Sequence, residues 1–257
     1  MPLPDVLAVF AHPDDESLAA GGVLARHAAA GARTAVVTAT WAPDTPRAAE
    51  LAGALRALGT GPPRMLGYAD SRVPHSAPGR PRLLDAPLDE TVRELVAHLR
   101  AFRPRIVLTH DAYGGLTGHE DHVHTHRATL LAVHAAGLER LCPDAGAPWR
   151  PDALYLATHP HSAVRSWAGL LAPAGKRMYT VPDDHVTAAV DVSPWLDRKV
   201  AAILAHRTEV ERKAAPGLIA ALPDRERALL LGTEWYTRLA VAPTPAAGTR
   251  PEADLSS

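Results

Sequence analysis

Val6-Leu7-Ala8-Val9-Phe10-Ala11 runs straight into His12-Pro13-Asp14-Asp15-Glu16. A short apolar run without alternation is the pattern of a strand buried on both faces, as in a parallel sheet. In open α/β sheets, ligands bind just beyond the carboxyl ends of such strands. An imidazole and three carboxylates crowded there are costly unless a cation or catalytic work compensates for their repulsion. Strand ends are also ordinary polar turns, so this cluster alone leaves both readings open.

A second cluster has the same construction. Arg105-Ile106-Val107-Leu108-Thr109 reads as another buried strand, followed by His110-Asp111, a loop with Gly114, Gly115 and Gly118, and then His119-Glu120-Asp121-His122-Val123-His124-Thr125-His126. Two strands of one sheet, each ending in His plus Asp, can bring three or four metal ligands together. Catalytic zinc takes three protein ligands of His and carboxylate type and leaves a fourth position for water. With one cysteine in the chain, a transition metal here must use nitrogen and oxygen ligands.

Working outward, strand and helix patterns alternate. Ser17 to Ala30 is an Ala/Leu-rich helix stopping at Gly31, and Arg33 to Thr40 is a strand. Arg47 to Leu58 is a helix stopping at Gly59, and Met65 to Tyr68 is a short strand. Residues 72 to 88, with Pro74, Pro78, Gly79, Pro81 and Pro87, hold too many breakers for regular structure, and a loop this long is a lid, a binding loop or disordered. Leu88 to Phe102 is an amphipathic helix. The His-rich segment continues as a helix to about Ala136, Ala153 to Thr158 and Val186 to Val192 are strands, and Asp197 to Arg212 is one helix. This alternation predicts an α/β fold, a Rossmann-like, mostly parallel sheet with helices on both faces. Residues 1–242 read as a single domain, with 152–242 as a candidate C-terminal subregion. The Pro- and Ala-rich stretch 243–257 is expected to be a disordered tail.

Composition narrows the function. Lys and Arg number 27 against 28 Asp and Glu, for a net charge of −1, so the basic stripe expected of a nucleic-acid binder is absent. No apolar run is long enough for a membrane span, and the N-terminus carries no signal pattern. The lone Cys142 excludes a disulfide framework and suits a reducing compartment, so the expected location is cytoplasmic.

Competing chemistries lack their signatures. No G-x-G-x-x-G follows a strand, and Gly21-Gly22 lies inside a helix, where close packing explains it better than phosphate binding. There is no P-loop and no G-x-S-x-G elbow. His122 and His126 stand four residues apart, but without H-E-x-x-H, and His124 and His126 read as partly exposed helix residues. His27, His75, His98, His134, His159, His161 and His185 are scattered and read as surface or packing residues.

Ala11-His12-Pro13-Asp14-Asp15-Glu16 together with Gly118-His119-Glu120-Asp121-His122 resembles the PIG-L/LmbE-type family of zinc-dependent N-acetylglucosaminyl deacetylases. Arg47 to Gly59, Leu66 to Ser71, Val190-Asp191-Val192 with Lys199, and Ala205 to Thr208 resemble further blocks of that family, and Asp121 to His126 resembles its mycothiol-pathway branch. The resemblance implies that His12, Asp15 and His122 hold Zn2+, one per chain, with Fe2+ able to use the same ligands. It implies Asp14 as general base, His119 as oxyanion stabiliser or acid toward the amine, and Asp121 as the group orienting a nearby imidazole. Arg47 and Asp70 would hydrogen-bond sugar hydroxyls; taken alone, they read as a solvated helix end and a turn former.

The chain departs from the family pattern in three places: Glu120 stands where proline is usual, Thr117 where the mycothiol branch has tyrosine, and the stretch Thr40-Trp41-Ala42-Pro43 where Gly and acidic residues often meet the sugar. The expected activity is removal of an N-acetyl group from a small-molecule glucosamine-type conjugate, releasing acetate and a free amino sugar. Cleavage of a larger thiol-conjugate or natural-product amide is the alternative within the enzyme class. A metal-binding α/β module without catalysis is the alternative outside it.

Overall fold

Val6, Ala8 and Phe10 pack into one hydrophobic core, and Leu7 and Val9 into another. The first strand is therefore covered on both faces, as its unbroken apolar run requires. The computed structural model describes residues 3–171, 175 and 178–241. The expected tail 243–257 lies outside the described residues.

Among the described residues the chain forms β1 (Val6–Phe10), α1 (Asp15–Ala29), β2 (Thr34–Thr40), α2 (Pro46–Leu58) and β3 (Arg64–Tyr68). It continues through α3 (Leu88–Phe102), β4 (Ile106–His110), α4 (Glu120–Ala136), β5 (Ala153–Thr158) and α5 (Val164–Leu171). The last elements are β6 (Ala188–Asp191), α6 (Leu196–Ala205), α7 (Arg207–Glu211), α8 (Ala215–Ala220), α9 (Asp224–Leu231) and β7 (Thr233–Leu239). One seven-stranded sheet has the order β3-β2-β1-β4-β5-β7-β6. The pairs among β1 to β5 are parallel, and β7 runs antiparallel to both β5 and β6.

The α/β reading holds, with helices on both faces. Helices α1, α2 and α6 cover one face through Leu24, Leu51, Leu55 and Ala202. Helices α3 and α4 cover the other through Val92, Leu95, Leu99, Ala128 and Ala132. After β1 the chain builds outward to β2 and β3, then returns to place β4 on the opposite side of β1. That reversal opens a crevice at the carboxyl ends of β1 and β4.

Three local expectations change. The single helix expected over 197–212 is broken at His206 (φ −79°, ψ 67°) into α6 and α7. The His206 ring turns in to Glu16, and Glu50 accepts the Thr208 N–H and hydroxyl, which restarts the helix in a new direction. Strand β7 carries no strand signature in the sequence because an inward position is Glu234, a polar residue where the pattern demands an apolar one. The 72–88 loop is packed down: it makes two short 3-10 turns, Arg82 bridges to Ala69, and Leu83 and Ala86 bury against Tyr68.

Glu234 is buried and ties β7 to the middle of α1. It accepts the backbone N–H of Gly22 at 2.8 Å and of Val23 at 3.0 Å, together with the Lys199 ammonium at 2.7 Å. Gly22 is required by close approach, since a Cβ there would lie 2.3 Å from Cβ of Val192. The Gly21-Gly22 pair thus serves packing, as read.

Candidate active site

The two polar clusters meet. His12, Asp14 and Asp15 leave the end of β1, while His110 ends β4 and the glycine loop returns His119, Asp121 and His122 on the first turns of α4. Gly114 adopts φ 81° where a Cβ would strike the His119 carbonyl at 2.8 Å, so this tight return excludes a side chain. Asp111 clamps the loop: its Oδ1 accepts the N–H groups of Tyr113 and Gly115, and its Oδ2 accepts the Thr158 hydroxyl.

His12 Nδ1, His122 Nε2 and the Asp15 carboxylate form a small triangle. The separations are 3.0 Å between the imidazoles, 3.4 Å from His12 to Asp15 and 3.2 Å from His122 to Asp15. Three donors at about 2.1 Å from a tetrahedral cation stand about 3.4 Å apart, so the set fits a divalent metal. The second nitrogen of each imidazole is spoken for: His122 Nδ1 meets the Gly114 carbonyl at 3.0 Å, and His12 Nε2 meets Asp121 Oδ2 at 3.1 Å. Such outer contacts fix the tautomer and aim the free lone pair inward. Against the cost of burial, Asp121, Asp15 and Asp70 push the His12 imidazole up to about 10, so this pocket favours a positive charge. Among the described residues three sets of side chains converge closely enough to hold a metal: His12, His119 and His122; His12, Asp70, His119 and Asp121; and Asp15, His110 and His122.

His110 stacks on His122 at 3.9 Å and approaches Asp15 at 3.5 Å. Its Nε2 accepts the Ala11 N–H, which uses the lone pair a metal would need. The sequence marks His110 as a strand-end histidine without a role; the structure makes it a wall of the site.

Asp14 is buried beside the triangle at φ 133°, a strained conformation for a residue with a side chain. Burial, opposed by Arg47 and His206 and reinforced by Asp15 and Glu209, pushes its carboxyl up to about 7. Glu16 Oε2 accepts the Asp14 N–H at 3.0 Å, and Glu16 Oε1 lies 2.9 Å from His206 Nε2. The Glu16 to His206 contact spans 190 positions and leaves no local signal.

Arg47 is buried at the start of α2, not a solvated helix end. Its guanidinium reaches the Pro13 carbonyl, Asp14 and Glu209, and lies over the Trp41 ring at 4.5 Å. Asp70 does form a turn, its Oδ1 accepting the Arg72 and Val73 N–H groups, and its Oδ2 lies 3.4 Å from His12. Asp121 also accepts the Ser71 N–H and hydroxyl. Glu120 adds no unpaired charge, because Arg72 pairs with it. His126 is buried, not partly exposed, and its Nδ1 meets the His110 carbonyl; His124 is half-buried.

His119 caps α4 by accepting the Asp121 N–H on Nδ1, which places its proton on Nε2. Burial, with the charges of His12, His122 and Arg72, holds its pKa down at about 4. It is a neutral donor. A single cavity is lined by His12, Asp14, Asp15, Arg47, Asp70, Thr117, His119 and His122, so the predicted residues share one space, with Asp121 just behind His12. None of the loop residues 72–87 is among its walls.

Residues 7–133 match the family model described as PIG-L: GlcNAc-PI de-N-acetylase. The 1D-myo-inositol 2-acetamido-2-deoxy-alpha-D-glucopyranoside deacetylase of Rhodococcus opacus (strain B4) is 38% identical, over 80% of this chain and 81% of that one. The chain belongs to the PIG-L family. Among solved structures, the conserved protein TT1542 from Thermus thermophilus is similar with a TM-score of 0.61 at 28% identity, covering 97% of this chain and 100% of that one. The N,N'-diacetylchitobiose deacetylase from Pyrococcus horikoshii aligns with a TM-score of 0.63 at 21% identity over 92% of this chain and 84% of that one, which shows a shared fold. The stretch matched to the PIG-L model contains every predicted site residue, from His12 to His122.

Proposed function

We propose that this PIG-L member is a metal-dependent deacetylase that cuts the 2-acetamido group of a glucosamine-type sugar conjugate. The observation that carries the reading is the pairing of a tetrahedral donor triangle with two further groups, Asp14 and His119, that the triangle does not use. An inert metal site needs neither. The relatives named for acetylated amino-sugar substrates support the choice of acetamide.

His12, Asp15 and His122 would hold one divalent cation, zinc or iron(II), with Asp121 orienting His12. When bound, such an ion supplies Lewis-acid polarisation of the amide carbonyl and a water acidified to a pKa of about 7. Asp14 takes the proton of the attacking water, and its raised pKa suits that transfer near neutrality. His119 donates Nε2–H to the carbonyl oxygen as negative charge develops there. Because His119 is neutral and must keep that proton, the proton that releases the amine comes back from Asp14. The water oxygen ends on acetate, the carbon–nitrogen bond breaks, and the sugar leaves as a free amine. Arg47 and Asp70 face the same space and would meet sugar hydroxyls, Arg47 while also tethering Asp14.

Among the described residues no helix is long and apolar enough to cross a membrane; with a single cysteine, we place the enzyme in the cytoplasm. A panel of N-acetylated amino-sugar conjugates, scored by primary amine released from metal-loaded protein, tests the reading. Release from at least one conjugate is expected. Stoichiometric metal with no release from any acetylated amine identifies the chain as a metal-binding module instead.

A further inference from the structure

The cavity does not end at the metal triangle. Its lining also takes in Leu18, Ala19 and Leu116, together with His159 at the end of β5, Trp167 and Leu171 of α5, Leu230 of α9 and Trp235 of β7, and this ring-bearing part of the wall is its apolar lobe. Its rings adjoin: His159 meets Trp167 edge-on at 5.4 Å and Trp235 at 5.8 Å. Trp167, Leu171 and Leu230 belong to a separate apolar cluster that includes Leu116 and Leu18, so the lobe is the hollow of that cluster. With its open mouth the whole cavity holds about 1220 Å³ of empty space.

The lobe carries little net charge. The Lys199 ammonium on its wall is tied to Glu234 at 2.7 Å, and Arg212 to Glu209 at 2.7 Å. Burial, then the charge of Lys199, holds the His159 imidazole down at about 4, so it is neutral at pH 7. His159, read from sequence as a scattered packing residue, therefore presents an uncharged ring to the cavity. A neutral, ring-lined hollow gains from an apolar occupant through area removed from water and through ring contacts. An ion would lose its hydration there without a free counter-charge.

Where the lobe comes from in the chain also matters. The metal-centre residues all lie in the segment matched to the PIG-L model, 7–133, whereas the aromatic walls come from residues 159–235. The reaction machinery and the lobe are thus built by different parts of one sheet, so the lobe can differ while the chemistry stays fixed.

We propose that this lobe is a subsite for an uncharged apolar group, aliphatic or aromatic, carried by the substrate whose amide is cut. The inference rests on the deacetylase reading above. Two parts of a substrate can supply such a group, the aglycone or the acyl chain, and the test separates them. The probes are N-acetylglucosamine, its phenyl glycoside and N-hexanoylglucosamine, given to metal-loaded wild type, Ala215→Phe and Trp235→Ala. Ala215 is a half-buried position on the lobe wall, so Ala215→Phe fills the space without removing a core side chain.

Wild type should prefer one of the two larger probes over N-acetylglucosamine by about 10- to 100-fold in kcat/KM. Ala215→Phe should erase that preference while leaving turnover of N-acetylglucosamine nearly unchanged, and Trp235→Ala should reduce it. Preference for the phenyl glycoside assigns the lobe to the aglycone; preference for the hexanoyl amide assigns it to the acyl chain. Equal handling of all three probes, or a preference that survives in both variants, overturns the subsite. Calorimetric titration of the phenyl glycoside into the same proteins separates this outcome from failure of the deacetylase reading. Binding that Ala215→Phe abolishes, with no amide cleaved, keeps the subsite and sinks the reaction.

Discussion

Glu16 accepts the backbone N–H of Asp14 at 3.0 Å while Asp14 sits at φ 133°. The side chain of one motif residue thus holds the strained backbone of another, and His206, fully buried, closes the arrangement on Glu16 at 2.9 Å. Strain of this kind costs about 1–3 kcal/mol and persists only where surrounding contacts enforce it. His206→Leu should therefore release Asp14 from its working position and lower kcat about 10- to 100-fold, with metal content and KM nearly unchanged. His206→Gln, whose amide can still donate to Glu16, should recover part of the loss. Steady-state kinetics with metal analysis on both variants checks this; equal kcat in wild type and His206→Leu would show that Asp14 needs no such clamp.

His119 should matter for the chemical step more than for affinity. An oxyanion donor interacts more strongly with the developing charge than with the ground-state amide, so kcat and kcat/KM fall together. His119→Ala should keep its metal and lose about 10²–10³ in kcat. A rise in KM with kcat preserved would make His119 a substrate-binding residue instead.

Gly22→Ala sets two effects against each other. Replacing a mid-helix glycine gains up to about 1 kcal/mol in helix propensity. The new methyl would lie 2.3–2.6 Å from three carbons of Val192, and overpacking of this kind costs about 1–3 kcal/mol. The clash should win, and thermal unfolding should show a lower Tm. A higher Tm would mean that α1 and Val192 can separate at little cost.

The neutral His159 makes stability depend on pH. Its folded pKa, about 4, lies below the unfolded value of 6.5, so between those values the unfolded chain binds the extra proton. Stability from the half-buried neutral ring is complete above pH 6.5 and declines as pH falls toward 4. His159→Gln should flatten this part of the profile by about 2 kcal/mol relative to wild type, read by urea unfolding at about pH 7 and about pH 4.5. Parallel profiles would place the imidazole in contact with water.

The sheet was legible where both faces are covered: β1, β2, β4 and β5 announce themselves as short runs dominated by Val, Leu, Ile, Ala and Thr. The site was legible for the same reason, since His and Asp residues stand directly after two such runs. What escaped the sequence is carried by long-range polar contacts. Glu234 occupies an inward strand position because it has Gly22, Val23 and Lys199 to bind, so β7 fails the alternation test. His206 breaks a helix whose apolar spacing continues, because its partner is Glu16. Arg47 looks like a charged helix start; only the fold brings Asp14 and Glu209 to it.

The role of Asp14 is decided by Asp14→Asn, assayed beside wild type and His122→Ala for bound metal and for amine released from an N-acetylglucosaminyl conjugate. About one divalent ion per chain is expected in wild type and in Asp14→Asn, with a depleted ion in His122→Ala. Turnover in Asp14→Asn should fall about 10²–10⁴-fold. Asp14→Asn that keeps its metal and turns over within a few-fold of wild type would contradict the assignment of Asp14 as the base and, with it, the proposed reaction path.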